Sequence, residues 1–352
     1  MRVFIYEYIT GGGMCSAGGR PEGSLLREGA AMLRAIVEDF AVVPGTQVVT
    51  MRDARLAEPD FGDRIQVTTV ASADDERVAV FELSKAADAT LLIAPEFQGI
   101  LLQRARWLEE AGARLISPSA VFIEIASDKQ QTAIQLASRG VRVPRGLVAA
   151  HKAEIPADFR WPAVIKPRDG AGSLGVRKLR SCDDFNENVD RGNYLEEFCP
   201  GMAASCAVLC GPEQLLPLPA CEQLLGGASG FEYLGGKLPL SPNLQARAKA
   251  LALQAIAAMP RCVGYVGVDL VLGNAADGSD DVVIEINPRL TTSYVGLRAL
   301  CRENLSAAML AVAEGRPAAL SQRPEQVEFT AEGTTAYEMA RDGYRRGESQ
   351  DR

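Results

Sequence analysis

The stretch Val282-Val283-Ile284-Glu285-Ile286-Asn287-Pro288-Arg289 is the most informative part of this chain, because an apolar strand ends there in a carboxylate, an amide and a guanidinium. Glu285 and Asn287 are two residues apart, so a strand directs both side chains to the same face. Two side-chain oxygens at this spacing suit a hard divalent cation. The stretch therefore predicts a Mg²⁺-binding strand, with Mn²⁺ as the alternative ion.

A second apolar run, Val164-Ile165-Lys166-Pro167, leads into a glycine-rich loop upstream of the first. Glycine allows backbone N–H groups to turn toward phosphate oxygens and to approach them closely. Together with Lys129, which offers a second cationic side chain, this segment predicts an ATP site. An isolated lysine is more often a solvated surface group, and the position of Lys166 after a strand argues against that. The predicted loop contacts are Gly170, Gly172, Ser173 and Gly175.

Asp269 lies inside the apolar run Val266-Gly267-Val268-Asp269-Leu270-Val271-Leu272. A carboxylate buried there without a partner would cost several kcal/mol, so a cation is expected nearby. We predict that Asp269, Glu285 and Asn287 form one metal site. The alternative is a charged pair that merely closes a hairpin.

Arg289 and the hydroxyl-rich run that follows it indicate a pocket for a carboxylate substrate and its acceptor. The guanidinium can form a fork onto a carboxylate or a developing oxyanion. A surface ion pair of Arg289, and helix N-capping by Thr292 or Ser293, are the alternatives. The predicted substrate contacts are Arg289, Thr291, Thr292, Ser293 and Tyr294.

Composition limits the classes of function. The chain has 352 residues, 47% of them apolar, and a formal charge of −8 without basic blocks, which is typical of a globular protein of two or three domains and argues against nucleic-acid binding. It contains eight cysteines without C-x-x-C spacing and a single histidine, His151. We expect buried, reduced thiols, a surface His151 and no Cys/His zinc site.

No apolar run reaches 18 residues, and the first residues do not resemble a signal peptide. These features predict a cytoplasmic protein without a membrane partner.

Strand and helix patterns predict four regions. Residues 1–115 alternate strands and helices, which indicates an α/β domain with a parallel sheet. Residues 116–210 are predicted to contain a single linker helix over 121–138, with Asp128 and Lys129 in its middle, followed by a small α+β lobe that includes a strand over 204–210. Residues 211–320 form a C-terminal lobe with the metal-binding hairpin, and residues 321–352 a charged, mobile tail.

The order of these motifs resembles the ATP-grasp carboxylate–amine ligases over residues 115–315. The resemblance implies an ATP-grasp fold, a mixture of α/β and α+β, preceded by the parallel-sheet domain. It implies that Lys129 and Lys166 contact the phosphates, that Lys166 and Arg289 are catalytic, and that an acyl phosphate forms and is attacked by an amine. It places the adenine against Glu196, Glu197 and Cys199. Ribose contacts stay open, because Ala203-Ala204 replaces the glutamate of many relatives.

The opening Tyr6-Glu7-Tyr8-Ile9-Thr10-Gly11-Gly12-Gly13 and the segment after Asn287 look like the tyramine–glutamate ligases of methanofuran synthesis. This resemblance implies a glutamate γ-carboxyl, a tyrosine or tyramine amine, and a substrate contact by Glu7. The expected partners are these small molecules, and a homodimer is left open. Another amino-acid or dipeptide ligation and a non-catalytic ATP-binding regulator are the alternatives.

Overall fold

The chain begins with a parallel four-stranded sheet of strand order β3-β2-β1-β4, as the sequence predicts. We describe it from a computed structural model that covers residues 1–16, 19–170, 172, 174–227 and 229–336. Strand β1 is buried on both faces, which is typical of parallel sheets covered by helices on each side. The elements of this domain are β1 (Arg2–Glu7), α1 (Gly23–Ala41), β2 (Gln47–Asp53), β3 (Ile65–Val70), α2 (Ala73–Lys85), β4 (Ala89–Ile93) and α3 (Ile100–Glu110).

Two helices, α4 (Ala120–Ala126) and α5 (Lys129–Ser138), replace the single helix predicted over 121–138. Asp128 interrupts it, since its backbone is extended and its carboxylate accepts the N–H groups of Gln130 and Gln131 at 2.9 and 3.1 Å. Aspartate is a favoured N-cap because it satisfies these free donors. The break makes Lys129 the first residue of α5 and buries its side chain.

The small lobe contains a four-stranded antiparallel sheet of order β5-β8-β6-β7. Phe159, Ile165, Phe185 and Leu195 form much of its core. Strand β6 ends at Lys166, so the sheet delivers this lysine directly to the loop that follows. Its elements are β5 (Gly146–Val148), β6 (Ala163–Lys166), β7 (Arg177–Leu179), α6 (Glu187–Asp190) and β8 (Tyr194–Glu197).

The C-terminal lobe is built on a seven-stranded sheet of order β14-β13-β9-β11-β12-β15, with β10 beside β9. Helix α7 covers one face, and α8 and α9, together with α1 of the first domain, cover the other. The elements are β9 (Met202–Cys210), β10 (Leu215–Pro217), β11 (Cys221–Gly226), β12 (Glu232–Leu238), α7 (Pro242–Ala257), β13 (Gly264–Leu272), β14 (Val282–Asn287), α8 (Ser293–Leu300), α9 (Leu305–Ala313) and β15 (Val327–Thr330).

Two predicted boundaries differ from the structure. Strand β9 pairs with β13 along its whole length, so it belongs to the large sheet, and the small lobe ends before Met202 rather than at 210. The first part of the predicted mobile tail is ordered, because β15 pairs with β12 and Phe329 is buried against the lobe. Residues 337–352 of that tail lie outside the described residues.

The cysteines and the histidine follow the sequence expectation with one difference. All eight cysteines are free thiols, but only Cys206, Cys210, Cys221 and Cys301 are buried, and the other four are partly exposed. His151 is exposed, and its ring nitrogen lies 3.5 Å from Glu187. Across the described residues, no helix combines the length and the apolarity needed to cross a bilayer.

Candidate active site

A cleft of about 520 Å³ lies between the small lobe and the large sheet, and the glycine loop and α1 contribute to its walls. This volume is in the range of small-molecule sites. It brings together most of the residues that the sequence singles out. The predicted residues that line it are Lys129, Lys166, Gly170, Gly172, Glu196, Cys199, Asp269, Glu285, Asn287, Arg289, Thr291, Thr292 and Ser293.

Both predicted phosphate-binding lysines are buried and paired with carboxylates. Lys129 Nζ lies 3.2 Å from Glu285 Oε2 and donates to the carbonyl of Gly170 at 2.9 Å, and Lys166 Nζ lies 2.6 Å from Glu196 Oε1. Burial alone would lower the pKa of Lys129, but Glu285 and the neighbouring carboxylates raise it, so the ammonium stays charged. These contacts place two cations in the cleft where the sequence predicts the phosphates.

The three predicted metal ligands meet at the β13–β14 hairpin. Asp269 pairs with Glu285 across the two strands, and Asn287 Nδ2 donates to Asp269 Oδ2 at 3.0 Å. Gln223 Nε2 donates to the other oxygen, Asp269 Oδ1, at 3.0 Å. Burial and the charge of Glu285 raise the pKa of Asp269 to about 7, whereas Lys129 and Lys166 overcome burial and lower the pKa of Glu285.

This donor set fits a divalent cation shared with a ligand. Within the part of the chain that the structure describes, no three or more His, Cys, Asp or Glu side chains are grouped for a metal. Asp269 and Glu285 are two carboxylates in mutual repulsion, and Asn287 adds an amide oxygen. Mg²⁺ is commonly bound by one or two carboxylates with phosphate oxygens and waters completing its shell. The fit therefore requires a phosphate-bearing ligand.

Arg289 is held in a buried bidentate pair, so the expected alternative of a surface ion pair is wrong. Its Nε and Nη2 lie 2.8 and 3.0 Å from the two oxygens of Glu96. Glu96 lies in the segment after the carboxyl end of β4, and its role was missed from the sequence. Burial alone would lower the pKa of Arg289, but Glu96 and the other neighbouring carboxylates raise it.

The glycine loop reaches both the cleft and the first domain. Gly170 and Gly172 line the cleft, whereas the predicted contact Gly175 does not and lies beside Pro167. Asp169 Oδ2 accepts the backbone N–H of Gln98 at 2.8 Å, which ties the loop to the segment after β4. Gln98 has φ 55°, the one positive value of a non-glycine residue among those described. Ser173, a predicted loop contact, lies outside the described residues.

Of the three residues expected to contact adenine, Glu196 and Cys199 line the cleft, but the side chain of Glu197 points away from it. Adjacent residues of a strand face opposite sides. The carboxylate of Glu197 is paired with Arg160 Nη2 at 2.6 Å outside the cleft. Phe198 also lines the cleft, where Lys178 Nζ lies 3.5 Å from the ring centroid.

Two predicted substrate contacts have structural roles instead. Tyr294 is fully buried, and its hydroxyl donates to Asp39 Oδ2 at 2.7 Å. The carboxylate of Glu7 accepts the backbone N–H of Thr10 at 2.7 Å and its hydroxyl at 2.6 Å. Gly29 of α1 covers Glu7 so closely that a Cβ there would lie 2.7 Å from Glu7 Oε1.

Several cleft residues were not predicted. They come from α1, from β7 of the small lobe and from the large sheet. A strand pattern alone does not reveal which face of a sheet lines a cleft. Glu28, Lys178, Ser205, Gln223 and Tyr233 belong to this set.

Comparison with known proteins agrees with this geometry. The ATP-grasp domain family matches residues 126–293, and the pre-ATP-grasp 3 domain family matches residues 46–123. The chain is an ATP-grasp protein. The solved structure of an ATP-grasp superfamily protein from Archaeoglobus fulgidus has the same fold, with a TM-score of 0.66, 23% identity, and coverage of 93% of this chain and 92% of that one.

Two curated relatives of this ATP-grasp protein are named as ligases. Tyramine–L-glutamate ligase from Methanocaldococcus fervens is 24% identical over 84% of this chain and 89% of its own length. D-alanine–D-alanine ligase from Xanthobacter autotrophicus is 30% identical over 46% of this chain and 58% of its own length. The ATP-grasp protein described here is an ADP-forming carbon–nitrogen ligase that joins a carboxylate to an amine. Enzymes of this family generally use ATP and divalent metal ions.

Proposed function

We propose that this ligase joins the γ-carboxyl group of glutamate to the amine of tyramine or tyrosine in the synthesis of a methanofuran-like cofactor. The observation that carries the proposal is the meeting, in one cleft, of two buried lysines, the Asp269–Glu285–Asn287 set and a bidentately held Arg289. The similarity to tyramine–L-glutamate ligase extends over most of both chains and supports this choice of substrates.

In the proposed reaction Lys129 and Lys166 bind the phosphates of ATP. Both side chains are already buried and paired, so phosphate oxygens can replace the carboxylates of Glu285 and Glu196 without further desolvation of the lysines. Asp269, Glu285 and Asn287 would hold Mg²⁺, which supplies charge neutralisation at the transferring phosphoryl group.

Arg289 binds the acid. Its guanidinium is fixed by Glu96 and faces the cleft, so it orients the substrate carboxylate toward the γ-phosphate. The carboxylate oxygen attacks phosphorus, ADP leaves, and an acyl phosphate forms. The neutral amine then attacks the acyl carbon, and Arg289 stabilises the negative oxygen of the tetrahedral intermediate. The nitrogen loses a proton to solvent and phosphate leaves, which gives the amide.

The test is a panel of carboxylic acids and amines with Mg·ATP, read by phosphate release and by mass spectrometry of the product. Glutamate with tyramine or tyrosine is expected to give an amide and one phosphate per amide. Phosphate release that is indifferent to every acid, or an amide that forms with other acids only, would contradict the proposal.

A second candidate is a dipeptide ligase, which the 30% identity to D-alanine–D-alanine ligase over part of the chain favours. The same panel distinguishes the two. Stimulation by D-alanine in the absence of any arylamine would support this second reaction.

A further inference from the structure

Helix α1 presents a carboxylate to the cleft that has no protein partner. Glu28, in the second turn of α1, is half-buried and lines the cleft. Its carboxylate forms no hydrogen bond or ion pair with any residue that the structure describes. Burial raises the pKa of Glu28, while the charges of Arg289 and Arg27 oppose that rise. A desolvated carboxylate without a counter-ion costs free energy, so its position suggests a cationic ligand.

Neither arginine near Glu28 is available to neutralise it. Arg27 Nε lies 2.6 Å from Glu332, and Arg289 is held by both oxygens of Glu96. Of the cleft lysines, Lys129 and Lys166 are paired with Glu285 and Glu196, and Lys178 Nζ lies 3.5 Å from the ring centroid of Phe198. The cation that meets Glu28 must therefore come from outside this part of the protein.

The surroundings of Glu28 locate this cation beside the reacting atoms. Glu28 and Arg289 line the same cleft. Tyr233 also lines the cleft and offers an aromatic surface. Glu28 thus lies near the guanidinium that binds the acid and near a ring against which an aromatic amine can rest.

We propose that Glu28 is the counter-ion for the primary ammonium group of the amine substrate, an inference that rests on the proposed ligase function. The acid cannot approach Glu28 through its reacting carboxylate, since two negative charges repel each other, and Arg289 attracts that group instead. The nitrogen that attacks must lie close to the acyl carbon, and hence close to Arg289. A carboxylate at this place binds the ammonium group and selects cationic acceptors over neutral ones. The ammonium loses a proton to solvent before its nitrogen attacks.

Glu28→Gln tests the assignment, because it removes the charge and keeps the shape. The variant replaces a charge-assisted hydrogen bond to the ammonium with a neutral one. This change is expected to raise KM for the amine by about tenfold or more and to leave KM for ATP and for the acid unchanged. Glu22→Gln is the matched control, since Glu22 precedes the same helix, is exposed and makes no capping hydrogen bond. An unchanged KM for the amine, or a raised KM for the acid instead, would overturn the assignment.

A binding measurement keeps the result independent of turnover. Tyramine and 4-ethylphenol, which lacks the amine, are titrated by calorimetry into the protein with Mg²⁺ and a non-hydrolysable ATP analogue. The wild type is expected to prefer tyramine by about tenfold, and Glu28→Gln to lose the preference. Equal affinities in the wild type would overturn the role of Glu28. A preference without any ligation would instead retain Glu28 and remove the proposed reaction.

Discussion

Both carboxylate oxygens of Glu96 hold the guanidinium of Arg289, at 2.8 and 3.0 Å, although 193 residues separate the two in sequence. Glu96 follows the last strand of the first domain, and Arg289 follows β14 of the last lobe. The pair therefore joins the two domains at the point where the acid is expected to bind.

Replacing Glu96 with Gln is expected to lower kcat by about tenfold to 100-fold, because a small displacement of Arg289 disturbs the reacting geometry. KM for ATP should stay near its wild-type value, since Lys129 and Lys166, the proposed phosphate ligands, are paired with Glu285 and Glu196 rather than with Glu96. Steady-state kinetics check both. Glu124→Gln, which breaks an exposed pair with Arg106, is the control and should have little effect. A wild-type kcat in Glu96→Gln would show that Arg289 needs no such support.

Glu285→Ala is expected to reduce kcat by at least about 100-fold and to abolish the normal dependence of the rate on Mg²⁺ concentration. Circular dichroism and thermal unfolding should show a folded protein, because Lys129 keeps its contact with the carbonyl of Gly170. Asp277→Asn, in the exposed turn of the same hairpin, provides the control. Activity like that of the wild type would remove Glu285 from the metal site.

Tyr294→Phe separates a role in the core from a role in substrate binding. The hydroxyl contacts Asp39 and Ser306, so its loss is expected to reduce the free energy of unfolding by about 1–3 kcal/mol. The KM values for both substrates should not change. Urea unfolding and steady-state kinetics distinguish the two roles. A raised KM with unaltered stability would indicate that Tyr294 binds substrate.

Glu7→Gln should change the pH dependence of stability rather than catalysis. Burial raises the pKa of Glu7, although its hydrogen bonds with Thr10 and Ile9 oppose that rise. The folded protein then binds the proton more tightly than the unfolded chain, so wild-type stability falls as pH rises from about 4.5 through the raised pKa. The variant lacks this component, and its unfolding free energy should decline less over the same range. Parallel pH profiles would contradict the buried role.

The sequence predicts those parts of the site that depend on local periodicity. Glu285 and Asn287 share a face because a strand alternates its side chains, and Lys166 reaches the cleft because it ends a buried strand. The same alternation places Glu196 and Glu197 on opposite sides, so the sequence already contains the signal that Glu197 faces away. Asp128 likewise carries a capping signal that ends one helix and begins another.

Contacts between distant segments could not be predicted in this way. The hydroxyl of Tyr294 is hydrogen-bonded to Asp39, 255 residues away in sequence. The sequence around Tyr294 suggests a substrate pocket, whereas the structure buries this side chain in the core. Glu28 lies on a helix whose apolar face is clear, yet only the approach of the small lobe makes its polar edge part of a cleft. Such pairings follow from the arrangement of the domains, which no single stretch of sequence encodes.

The segment after β4 contacts both Arg289, through Glu96, and the glycine loop, through the N–H of Gln98 and Asp169. Movement of the loop away from ATP would break the hydrogen bond between Asp169 and Gln98, and so its contact with the segment that orients the guanidinium of Arg289. Acid activation would then be favoured only while the loop shields the nucleotide. Such a linkage would limit hydrolysis of the activated acid, because the acyl phosphate would form only while the loop covers the cleft and restricts the access of water.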